Sequence, residues 1–332
     1  MPCCLTRLFR SPPHHLKARS AAILAASLTL FSSSILHAAI DIANFTPATN
    51  DRFDNDPTFV AAAHDLSGVG RANSGIAGGG GHWGSLIDKN IFVSAEHYHA
   101  PNGEKRLFYP DNDPTSTPVQ RTILGGQQVG TSDLWIGHLD FALPPSITTY
   151  SWSQTALTSG TFGSSALFDR FAYMSGISPT TTGYGASKLT NQAVGTNHIE
   201  FYVGGLDPAP PGGTVGDVVG TIENLPGDDT TFGFTVEMFK AQANTGDSGS
   251  PLLIVDGGNL QVSGTAWLIG QVDIDPGMGQ TLRDASFYSY TGNYVTEVQN
   301  YIVANLNMTI PEPSSLLLLL AGVSLLLHAR RR

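Results

Sequence analysis

From Ser85 onward, apolar segments of strand length alternate with clusters of Gly, Pro, Asn and Asp. Residues 86–95, 134–139, 232–239, 251–255 and 260–269 are the clearest such segments. Turn residues at these short intervals predict antiparallel strands closing into a barrel or sandwich, not βαβ units. One stretch near the end has another period. In residues 293–306, Val295, Val298, Ile302 and Leu306 follow the i, i+3, i+7 spacing of a helix with one buried face. The expected architecture is therefore all-β, closed by one amphipathic helix. The glycine run 78–81 follows no strand and precedes no Lys-Ser/Thr pair, so it is a flexible loop and not a phosphate cradle. No internal repeat is present.

The two ends break this pattern. Residues 1–38 carry Arg7, Arg10, Lys17 and Arg19 with no acid, then an apolar run from Ala21 to Leu36 and small residues at Ala38 and Ala39. That order predicts a secretory signal peptide over 1–38, cut near Ala38 or Ala39. The other end, 309–332, reads Pro311-Glu312-Pro313, an apolar run over 316–327 and then Arg330-Arg331-Arg332. The run is shorter than the roughly 20 residues that span a bilayer comfortably, though three terminal arginines would hold it at a membrane. Its three ordered parts resemble the PEP-CTERM sorting signal of Gram-negative bacteria. The resemblance implies export, transient membrane anchoring at the cell surface or extracellular matrix, and processing near Pro311. Signal peptidase and an exosortase-type enzyme are the implied partners. A plain C-terminal anchor is the alternative.

Setting the ends aside changes the charge. The whole chain carries −10, but residues 39–310 hold ten basic and 26 acidic side chains. So acidic a body offers no basic patch for a phosphate backbone, and nucleic acid is not an expected partner. Charged residues make up only 13%, which excludes charge-rich disorder. Both cysteines, Cys3 and Cys4, lie in the segment expected to be removed. The body then has no disulfide, thiolate metal site or thiol nucleophile.

Three separated segments carry candidate chemistry. In Gly246-Asp247-Ser248-Gly249-Ser250-Pro251, flanking glycines allow a tight turn that presents the Ser248 hydroxyl and leaves nearby N–H groups free. A hydroxyl needs a neighbouring base, although the same tetrapeptide also makes an ordinary Asx turn. An apolar strand ending Val93-Ser94-Ala95-Glu96-His97 delivers a histidine, the side chain whose pKa suits that role. His99 raises the alternative of a His-x-His metal pair, but no third ligand stands at metal-site spacing. In Ser132-Asp133-Leu134-Trp135-Ile136 an aspartate precedes an alternating apolar strand, where an inward carboxylate can orient an imidazole. Asp140 is a nearby competitor.

Taken together, the segments resemble the trypsin/chymotrypsin family of serine proteases, in the chain order His, Asp, Ser. The family's Gly-Gly-Ser-Leu-Ile…Val-Thr-Ala-Ala-His-Cys is echoed by Gly84-Ser85-Leu86-Ile87…Val93-Ser94-Ala95-Glu96-His97-Tyr98. Its Asp-Ile-Ala-Leu is echoed by Asp133-Leu134-Trp135-Ile136, and its Gly-Asp-Ser-Gly-Gly-Pro by residues 246–251. The likeness runs from about residue 69 to residue 306, within a protease domain expected over 39–308. It implies two packed antiparallel six-stranded β-barrels with a C-terminal helix, and a serine endopeptidase acting on polypeptides with no cofactor or metal. Transferred residue by residue, it makes Ser248 the nucleophile, His97 the acid/base and Asp133 the orienting carboxylate. The Gly246 and Ser248 N–H groups become the oxyanion hole, and Gln242, Ala266, Trp267 and Leu268 line the substrate pocket.

Departures from the family pattern bear on specificity and activation. Glu96 and Tyr98 stand where the family has Ala and Cys, and Ser250 replaces a glycine. Ala266 falls at a usual serine and Leu268 at a usual pocket glycine. Gln242 at the pocket floor offers no carboxylate to Lys or Arg, so trypsin-like cleavage is not expected. The family's activating junction is absent; Ala39-Ile40 and Arg71-Ala72 are the two conceivable cuts. The rival function is a weak or inactive protease-like surface or matrix binding protein. An esterase using the same residues is a further alternative, although its Gly-x-Ser-x-Gly elbow is unmatched at Ser250.

Overall fold

A computed structural model of the protein describes residues 39–72, 81–180, 190–207, 214–223, 238–274 and 282–306. The expected leader, the C-terminal signal and most of the 232–239 segment lie outside these residues. Six strands close a barrel: β2 (Val69–Ala72), β3 (Trp83–Asp88), β4 (Ile91–Ala95), β5 (Lys105–Phe108), β6 (Val119–Gln128) and β7 (Leu134–Leu139), in spatial order β2-β3-β4-β7-β6-β5. The strand-length segment over 86–95 is thus two strands, not one, parted at its polar centre Asp88-Lys89-Asn90. Lys89-Asn90 form the hairpin turn between them, with Asp88 paired to Ile91. An antiparallel strand with one solvated face alternates apolar and polar residues, whereas one buried on both faces does not. Here Leu86, Phe92, Trp135 and Leu139 pack together in one cluster, while Ile91, Val93, Leu134 and Ile136 pack in another with Tyr173, Leu253 and Val262 of the second half.

The second half is one curled sheet. Its strands are β8 (Ser151–Trp152), β9 (Arg170–Ile177), β10 (Gln192–Ile199), β11 (Phe201–Leu206), β12 (Gly216–Ile222), β14 (Pro251–Asp256), β15 (Asn259–Asp273) and β16 (Leu282–Tyr290). They run in the order β10-β9-β14-β15-β16-β12-β11, with β8 parallel to β15. The curl brings edge strand β10 back to the chain ahead of the serine turn: Thr196 N donates to Phe239 O at 2.8 Å and Asn197 Nδ2 to Ala241 O at 2.9 Å. A separate ladder joins β1 (Asp41–Ile42) to β13 (Ala241–Gln242). Two β-bodies and a terminal helix match the expected all-β architecture, but the second body is an eight-stranded sheet where a six-stranded barrel was expected.

Two helices are described, the one-turn α1 (Pro47–Asn50) and the terminal α2 (Val295–Asn305). The buried face of α2 is set by Val298, Tyr301 and Asn305, with Val295 and Ile302 half-buried beside it. Leu306, expected on that face, is exposed. Tyr301 takes its place in the contact, its hydroxyl lying 2.7 Å from His138 Nδ1 on β7.

Candidate active site

The pairing of β4 with β7 decides where the base and its partner meet. Ala95 lies opposite Leu134, so the residue after β4 sits beside the residue before β7. Glu96 N donates to Asp133 O at 2.7 Å, and His97 N donates to Asp133 Oδ1 at 3.0 Å. Beyond β4 the chain makes a single 3-10 turn over Glu96–Tyr98, which swings the His97 ring over the same carboxylate. His97 Nδ1 lies 2.8 Å from Asp133 Oδ2. Asp133 is fully buried, whereas the His97 side chain is 40% exposed. Burial raises the Asp133 pKa, against the opposing hydrogen bond and charge of His97. A carboxylate can only accept, so Nδ1 carries the proton and Nε2 is left as an acceptor. Ser248 Oγ lies 2.9 Å from that Nε2. Asp140, the competing aspartate, instead accepts the N–H groups of Thr122 and Phe141.

The serine turn is held from below by its own backbone. Ser250 N donates to Asp247 O, and Gly249 N and Ser250 O bond Ala266 of β15. Gly246 and Gly249 have φ of 100° and 81°, which side-chain-bearing residues rarely adopt. A Cβ on Gly249 would also lie 2.7 Å from Ser94 Oγ and 3.0 Å from Ala95 N, so only glycine lets the turn press against β4. The N–H groups of Asp247, Gly249 and Ser250 have acceptors at 2.8–3.0 Å. Those of Gly246 and Ser248 have none among the described residues, leaving two donors on one turn available to an anionic oxygen.

Asp247 anchors this turn from inside. Its Oδ1 accepts Ile177 N at 2.7 Å and its Oδ2 accepts Asn244 N at 2.9 Å. Complete burial still pushes its pKa up to about 7, against those bonds and the charge of Arg71. Arg71 and Ala72 lie buried inside β2, paired with Trp83, Leu107 and Arg106, which makes their junction a poor cutting site. Ile40 is differently placed. Its N–H donates to Ile177 O at 2.9 Å, and a Cβ on Gly176 would meet Ile40 Cβ at 2.6 Å and Asp247 Oδ1 at 2.7 Å. Ile40 therefore packs in the same cluster as the buried carboxyl.

Of the four residues expected to line a pocket, the structure leaves Gln242 and Leu268 half-buried and packs Ala266 and Trp267 into the core. Gln242 is paired with Asp41 of β1. The β15–β16 register slips between Ala266 and Leu268, making Trp267 the extra residue of a bulge. Its indole, 8% exposed, packs with Phe201, Val218 and Phe287. Thr265, which sequence reasoning did not single out, donates Oγ1 to Ser94 O at 3.2 Å and ties β15 to the histidine strand. His99 stacks on Trp135, ring centroids 4.5 Å apart at 10°, and its Nδ1 lies 2.8 Å from Glu96 O.

No protein-family model matches the chain, and no curated protein does. Among solved structures, a mutant of human heparin binding protein (CAP37) is similar, at 16% identity and a TM-score of 0.44. The match covers 75% of this chain and 95% of that one.

Proposed function

We propose that the chain is an exported serine endopeptidase that cleaves polypeptides through an acyl-enzyme. One observation carries the reading: His97 bridges a fully buried Asp133 and the Ser248 hydroxyl at 2.8 and 2.9 Å, within the range of direct proton transfer. Ser248 Oγ attacks the scissile carbonyl carbon while His97 Nε2 takes its proton. The carbonyl oxygen becomes an oxyanion facing the Gly246 and Ser248 N–H groups. Collapse breaks the C–N bond, and His97 returns the proton to the departing amine. Water then attacks the acyl-ester with His97 again as base, releasing the acid and restoring Ser248. Asp133 fixes the tautomer throughout and stabilises the imidazolium.

The leader over 1–38 and the C-terminal segment over 309–332 support export, surface retention and trimming by signal peptidase and an exosortase-type enzyme. A fluorophosphonate, which traps an activated serine, tests the catalytic reading. The wild type is expected to label and to hydrolyse peptide substrates as well as matched esters, and Ser248→Ala to do none of these. An unlabelled, folded wild type would leave only a protease-like scaffold.

A further inference from the structure

The Gly246 N–H owes its aim to bonds that reach beyond its own residue. Gly246 is a glycine at φ 100°, so its backbone rotates widely unless a bond stops it. Two bonds do. Asp247 N donates to Asn244 O at 3.0 Å, and Gly246 O accepts Gly81 N at 2.9 Å. The second of these ties the serine turn to the entry of β3 in the first barrel. There Gly81 is pressed against the Trp83 indole, where a Cβ would collide. His82 follows in the left-handed region at φ 39°, uncommon for a residue with a side chain. Its ring lies 4.2 Å from that of Tyr98, the residue after His97, and its carbonyl accepts Arg106 Nη1 at 2.9 Å.

Arg106 is a costly residue where it stands on β5. Its side chain is fully buried, and its Nε and Nη2 have no hydrogen-bond partner among the described residues. Nη1 alone is used, donating to His82 O and, at 3.1 Å, to Gly70 O. The guanidinium lies over the Phe92 ring, 4.2 Å from its centroid. Gly84 leaves it room, since a Cβ there would come within 2.6 Å of Arg106 Cζ. An apolar side chain would fill such a place without the penalty of a buried, half-satisfied cation. What the cation supplies is a hold on the His82 carbonyl. Building on the proposed catalytic reading, we infer that Arg106 is a positioning residue for the oxyanion hole, acting through His82 and Gly81 on the Gly246 N–H. Released from Arg106, His82 leaves its left-handed conformation and Gly81 N loses Gly246 O. The glycine donor then swings away from the oxyanion.

Arg106→Met, made in the whole protein, removes the hold while filling the space. Peptide hydrolysis is expected to fall about ten- to a hundredfold in kcat with KM within about twofold, because only the transition state has an oxyanion. Affinity for a peptidyl trifluoromethyl ketone, which forms such an oxyanion on Ser248, is expected to fall by the same factor. In hydrogen exchange by NMR, the Gly81 amide is expected to exchange at least about tenfold faster while the β7 amides keep their rates. A barrel that is merely destabilised would release both sets together. Arg106→Lys keeps the charge and can serve both carbonyls from one nitrogen, so it is expected to recover most of kcat. Should Met disturb the barrel, His82→Val disfavours the left-handed conformation and His82→Asn tolerates it, so loss in the first and recovery in the second read the same link. An unchanged Gly81 amide, or a kcat loss matched by KM and by unfolding, overturns the inference. A faster Gly81 amide in a protein that never labels with fluorophosphonate sinks the proposed function and leaves the hold of Arg106 on the turn standing.

Discussion

At the scale of single residues, the site depends on which nitrogen of His97 carries the proton. Asp133 accepts twice from the histidine, once from its backbone and once from Nδ1. Asp133→Asn keeps the volume but can place an NH₂ group against Nδ1. The ring then carries its proton on Nε2 and cannot receive that of Ser248. Peptide hydrolysis by Asp133→Asn is expected to fall about a thousand- to ten-thousandfold in kcat, with little change in KM or unfolding midpoint. Steady-state kinetics and urea denaturation check both halves; an unchanged kcat would dismiss Asp133 as the orienting group. Asp133, His97 and Ser248 were legible in the sequence because each lies beside a strand end or between glycines, where apolar patterning stops and a polar residue stands out. The pocket wall was not. A one-residue bulge turns Trp267 into the core, and no periodicity encodes a register slip.

At the scale of elements, α2 separates what periodicity fixes from what packing decides. An i, i+3, i+7 pattern marks a face but leaves its angle open by about one residue. The sequence pattern centred it on Val295, Val298, Ile302 and Leu306; the structure centres it on Val298, Tyr301 and Asn305. Tyr301 was missed because a phenol does not count as strongly apolar, yet its hydroxyl finds His138 across the contact. Val298→Ala, at 1% exposure, is expected to cost about 2 kcal/mol in urea unfolding, and Leu306→Ala less than about 0.5. Equal costs would return the helix to the angle the pattern implied. The strands show the same limit. Residues 86–95 read as one segment because apolar residues dominate both halves. Yet the polar Asp88-Lys89-Asn90 between them carries the hairpin turn, so the barrel was legible as a class and the hairpin only through those three residues.

At the scale of the whole molecule, Asp247 connects the serine turn to the start of the folded body. Burial in the folded chain pushes its carboxyl up to about 7 from an ordinary 3.8. The native state therefore holds a proton that the unfolded chain has already lost. Stability from this group is full below pH 4 and declines as pH rises toward 7, by up to about 1.4 kcal/mol per unit. Against Asp247→Asn, in which the group cannot ionise, a chain that retains the residues before Ile40 is expected to lose about 2–3 kcal/mol in urea unfolding between pH 5 and 8. Cleavage after Ala39, as the proposed export implies, would alter that balance. The freed Ile40 ammonium would lie in the cluster that already contains Asp247 and Gly176, where a positive charge favours the carboxylate. A chain that begins at Ile40 is then expected to show little or none of this pH slope. Equal slopes in the two chains would mean that the new amine does not reach Asp247, and that export and the setting of the serine turn are separate events.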